Sequence, residues 1–84
     1  MVLFVTGSVW ATQPAQWVGV EVYLDGVAIG ECLIYCNEAN SHRTFIPQMF
    51  PITVAFGQHT VSLSASTEYT TSDINDYFNV SILY

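Results

Sequence analysis

Period-two alternation runs through nearly every segment of this chain, and no stretch of about ten residues keeps a helical period. Between Trp17 and Leu24, Val18, Val20, Val22 and Leu24 fall on one face, and Gly19, Glu21 and Tyr23 on the other. Asp25-Gly26 follows at once. Both residues tolerate positive φ, so this dipeptide between apolar runs predicts a tight hairpin, with Val27 to Cys36 as the return strand. Both faces of that return strand are apolar, which predicts a strand covered on each side, in a sheet interior or an interface.

Val2 to Ala11 forms the first strand of this reading, with Gly7 marking a bulge or a close backbone approach. A fourth strand is expected from His42 to Ile46. Pro47 and Pro51 leave the stretch between them irregular or at an edge. Ile52 to Phe56 is expected as a short strand or a shoulder. His59 to Ser66 alternates strictly, with His59, Val61, Leu63 and Ala65 on one face. Tyr77 to Tyr84 closes the chain, with Phe78, Val80, Ile82 and Tyr84 facing one way. Residues 12–16, 37–41 and 67–76 are polar connections. The expected fold is all-β: one domain over 1–84, a small antiparallel β-sandwich, Ig-like or jelly-roll-like, of about six or seven strands.

Charge constrains how such a sandwich lives among its neighbours. The chain has 51% apolar residues and a single basic one, Arg43, and its net charge is −6. Strand edges are commonly guarded by charge, lysine above all, and this chain has no lysine. Its edges are therefore expected to be covered by copies of itself or by a larger assembly. One arginine cannot track a phosphate backbone, so nucleic acid is excluded as a partner. An anionic membrane surface is disfavoured for the same reason. The opening Met1 to Gly7 lacks the basic region of a signal peptide and is too short to span a bilayer.

No motif fixes a chemistry, and neither an enzymatic activity nor a cofactor is expected. On one strand Cys32 and Cys36 would lie about 13 Å apart, too far for a disulfide, so both are read as buried free thiols. His42 and His59 have no nucleophile elbow beside them, and backbone-bonded histidines are expected. Arg43 is expected to pair with Glu31, Glu38 or a partner's carboxylate. Asp73, Asn75 and Asp76 are candidate ion ligands of calcium type, though they lack the glycine and closing glutamate of an EF-hand loop. The competing reading is an Asx turn bonding its own backbone. Trp10, Trp17, Tyr23, Tyr35, Tyr69, Tyr77 and Tyr84 are a heavy aromatic load for a small chain. They are candidate interface anchors, or candidate platforms for sugar rings together with the 67–76 loop.

Gly57-Gln-His-Thr-Val-Ser-Leu-Ser-Ala65, a polar loop, and Asn75-Asp-Tyr-Phe-Asn-Val-Ser-Ile-Leu83 resemble the closing strands of small β-sandwich domains in bacteriophage tail and fibre proteins. The same stretch is similar to the end of C1q- and TNF-like jelly rolls, and Val22 to Gly26 with Gly30 to a hairpin of Ig-like sandwiches. The resemblance implies a structural module of a virion or another extracellular assembly. It implies a homo-oligomer, a trimer foremost, touching other virion proteins or surface glycans.

Overall fold

The computed structural model describes residues 1–83; Tyr84 lies outside them. The chain runs β1 (Val2–Ala11), β2 (Gln16–Leu24), β3 (Val27–Cys36), β4 (Arg43–Thr44), β5 (Gln48–Pro51), β6 (Val61–Ala65), β7 (Thr70–Thr71) and β8 (Phe78–Leu83). These make two antiparallel sheets. In the first, β1 is the spine: β5 and then β4 pair along one side of it, β8 and then β7 along the other. The second sheet has the order β3-β2-β6. The all-β sandwich is as the alternation predicts, with eight strands because two short pairings add to the count.

The core lies between the sheets. Leu3, Val5, Val9 and Ala11 of β1 meet Val18, Val20 and Val22 of β2, with Cys32 and Cys36 of β3. Those two thiols are buried, free, and pushed up in pKa by burial. Asp25 and Gly26 make the β2–β3 turn with φ of 50° and 82°, the geometry that Asp-Gly was read to supply. At Gly7 the close approach holds rather than a bulge. The Phe45 and Phe78 rings stack with centroids 6.3 Å apart, and a Cβ at Gly7 would run into both.

Four expectations change. First, β3 is an edge strand, not an interior one. The Phe50 ring of β5 covers Gly30, while Val27 and Tyr35 stay exposed. Second, only Arg43 and Thr44 of the expected 42–46 strand pair with β1. The next two residues cross between sheets, Phe45 N–H donating to the Gly7 carbonyl and Ile46 N–H to that of Leu33. This crossing zips one side of the sandwich shut. Third, residues 52–56 are not a strand; the pairing with β1 belongs to Gln48–Pro51, where an edge was the alternative reading. Fourth, His59, Thr60 and Tyr77 fall outside the strands assigned to them, while Thr70–Thr71 pairs inside the expected 67–76 loop.

The other side of the sandwich, between β6 and β8, closes only at one end. There Ser66 N–H extends the β2–β6 ladder to the Gly19 carbonyl, Thr67 Oγ1 donates to the Trp17 carbonyl, and Gly19 N–H reaches across to Thr70 Oγ1 of the first sheet. At the opposite end the sheets stay apart.

Candidate functional site

That opening forms a cleft lined mostly by apolar side chains. The inner row of β8 follows from its register, since Ile82, Val80 and Phe78 stand opposite Leu3, Val5 and Gly7. The inner row of β6 is Val61, Leu63 and Ala65, opposite Leu24, Val22 and Val20. The two rows face one seam. At its open end lies a cleft of about 790 Å³ walled by Met1, Leu24, Ile52, Phe56, Val61 and Ile82. A smaller hollow of about 210 Å³, bordered by Leu63, Thr71 and Phe78, continues it toward the closed end. Phe56 projects fully into solvent at the cleft. The sequence hid this feature because alternation assigns a residue to a face but does not say whether that face is covered.

His59 clasps the wall of the cleft to the β2–β3 turn. Its Nδ1 lies 2.6 Å from Asp25 Oδ2 and its Nε2 2.6 Å from the Ala55 carbonyl. Both partners are acceptors, so both bonds together need both ring N–H groups, the imidazolium form. Asp25 also accepts from Thr60 N–H. The Asp25 bond, with the Ala55 carbonyl behind it, raises the His59 pKa above 6.5, and the reciprocal His59 bond lowers that of Asp25 below 3.8.

A second polar group lies on the outer face of the first sheet. Asp76 Oδ1 accepts from Ser8 Oγ at 2.7 Å and sits 2.7 Å from His42 Nδ1, while Asp76 Oδ2 accepts from Asp73 N–H. Asp73 Oδ2 lies 3.7 Å from His42 Nε2. Asn75 contributes its N–H to Asp73 Oδ1, the Asx turn that was the competing reading of this loop. The carboxylate stands between the serine and the histidine. The hydroxyl–imidazole contact that activates a serine nucleophile is therefore missing from this trio. His42, Asp73 and Asp76 form a donor set that could hold a metal ion. An imidazole in that set suits zinc better than calcium. Asp76 would have to give up bonds already made within the protein. The His42–Asp76 link joins residues far apart in sequence, and no local signal announces it.

The Asp76 bond raises the His42 pKa above 6.5, with the Asp73 charge assisting. Burial pushes the Asp76 carboxyl up, but bonds from His42, Ser8 and the Asp73 backbone outweigh it and leave the pKa lowered. The two histidines thus contribute stability that is complete below pH 6.5 and is lost as pH rises through their raised values. The two aspartates contribute stability that is complete above pH 3.8 and is lost as pH falls through their lowered values. The urea midpoint is expected to be highest between pH 3.8 and 6.5. His59→Gln is expected to flatten part of the alkaline limb. A midpoint that stays constant from about pH 5 to pH 9 in urea melts would contradict the clasp.

The aromatic candidates do not gather into one platform. Trp17 and Tyr35 are cross-strand partners on the outer face of the second sheet, both exposed, edge-to-face with centroids 5.3 Å apart. Tyr23 shares that face about 20 Å further along β2 at strand rise. Trp10 is half-buried on the first sheet beside His42, with centroids 6.0 Å apart, and its Nε1–H finds no acceptor among the described residues. Tyr69 packs against the core, and Tyr77 is exposed just before β8. Arg43 pairs with neither Glu31 nor Glu38, the two intrachain partners expected for it. No family model, no curated protein and no solved structure matches this chain.

Proposed function

We propose that this protein is a non-enzymatic assembly module, a β-sandwich that works by associating with copies of itself. One observation carries the reading: the seam between β6 and β8, where the inner row of β8 stands exposed and that of β6 is only partly covered. Burying such rows stabilises by about 25 cal/mol/Å², a useful increment for a domain this small. The lack of lysine along the strands supports the same reading. A virion or other extracellular setting, as a phage tail or capsid-associated component, is proposed on the resemblance carried by residues 57–65 and 75–83. Sedimentation at micromolar concentration is expected to give a mass that is a multiple of the chain. A stable monomer throughout would overturn the proposal.

A second reading, a carbohydrate or host-surface module, is favoured by one specific observation. Trp17 and Tyr35 offer an exposed aromatic pair, and rings of this kind stack on apolar sugar faces. Glycan binding that disappears in Trp17→Ala would support it, and a glycan array without any hit would count against it.

A further inference from the structure

We propose that the outer edge of β8 is where two copies of this chain join, β8 against β8 in antiparallel register across a twofold axis. The proposal rests on the reading of the chain as a self-associating module and names the surface that would do it.

Four strand edges border the sandwich, and three are managed. The β3 edge receives the Ile46 N–H at Leu33 and carries Glu31. The β4–β5 edge is flanked by Arg43, Pro47 and Pro51. The β6 edge is only five residues long, and its inner row is partly covered, Val61 and Leu63 packing against the core. The β8 edge has none of these devices. Its six residues pair only with β1 among the described residues, and they include no charge, proline, glycine or register shift. Such an edge is a template for another strand.

What the edge carries fits a second copy of itself. Phe78, Val80 and Ile82 are 41%, 36% and 46% exposed although they lie in an inner row. In a twofold antiparallel pair, that row would continue directly into its counterpart on the other copy. All seven acidic residues sit elsewhere: in β2, in β3, and in the connections. The −6 charge of each chain therefore places no carboxylate opposite another within the new ladder. With Phe56 at the cleft, three half-exposed side chains and one free ring make an apolar patch well short of the ~800 Å² that a standard interface buries on each partner. A new backbone ladder adds to that, which suits a micromolar dimer rather than an obligate one.

The test uses outer-face positions of β8, where Asn79 and Ser81 leave the core untouched. Sedimentation of the whole chain should show a concentration-dependent dimer. Asn79→Lys with Ser81→Lys should weaken it about tenfold by opposing like charges across the pair. Asn79→Glu with Ser81→Glu should do the same. An equimolar mixture of the two variants should restore association. Ser62→Lys with Ser64→Lys on the outer face of β6 should leave the dimer intact, and circular dichroism should show every variant folded. If the β8 variants associate as the parent does, if the mixture fails to recover, or if the parent is a trimer, the β8 pairing is overturned while self-association stands. Trimerisation would need β8 to meet a different edge, head to tail. A parent that stays monomeric overturns both readings.

Discussion

Phe45→Ala is expected to lower the thermal midpoint by roughly 15–30 °C, the largest effect of any single truncation in this chain. Phe45 is the largest fully buried side chain among the described residues, and it fills the place where the backbone crosses from one sheet to the other. Its ring stacks on Phe78 and closes over Gly7. Removing a buried phenylalanine costs about 3–5 kcal/mol through lost transfer energy and the cavity left behind. At this chain length each kcal/mol moves the midpoint by about 4–8 °C. The neighbours cannot readily collapse into the gap, because Gly7 offers no side chain and the crossing strand is bonded to both sheets. Calorimetry reads the shift. A change of less than about 5 °C would mean that the crossing is not a packing point.

Gly19→Ala is expected to be nearly as damaging, for a different reason. Gly19 has φ of +157°, within the range that side-chain-bearing residues rarely adopt. A Cβ there would collide with the Cys32 carbonyl oxygen and come within 2.9 Å of its carbon and of Leu33 Cα. These are backbone atoms of the paired strand, so they cannot swing aside as a side chain would. Gly19 also accepts the Ser66 N–H, extending the β2–β6 ladder, and donates to Thr70, the bond that ties one end of the second sheet to the first. Overpacking costs about 1–3 kcal/mol and backbone strain a similar amount. Together they take a large share of the roughly 5–10 kcal/mol of a small domain. A urea melt of Gly19→Ala should show an early, broadened transition. A midpoint equal to the parent's would contradict the close approach.

The parts of this fold that were legible in the sequence are the local ones. The alternation of Val18, Val20 and Val22 gives the buried face of β2 directly, and Asp25-Gly26 gives both the turn and its positive φ values. The first strand is legible over its full length. Neighbour relations are not. The alternation of Val27 to Cys36 is the same whether that strand is central or peripheral, and only the sheet order makes it an edge. Gln48 to Pro51 outcompetes the apolar run at 52–56 for β1 because register along β1 decides the pairing, and register is non-local. The site was less legible than the fold. Asp73 and Asp76 stand out as carboxylates, but His42 reaches them only through the folding of a distant loop. Trp17 and Tyr35 become a pair only once the hairpin sets Trp17 opposite Tyr35. The open seam has no sequence signature, since Phe78, Val80 and Ile82 look like any core row.

The most direct test of the account follows amide hydrogen exchange strand by strand across a concentration series. Amides of Phe78 to Leu83 are expected to slow as protein concentration rises through the association range, with those of β3 and β5 unchanged. Exchange in β8 that stays equally fast at every concentration would contradict the claim that this edge is where the sandwich finds its partner.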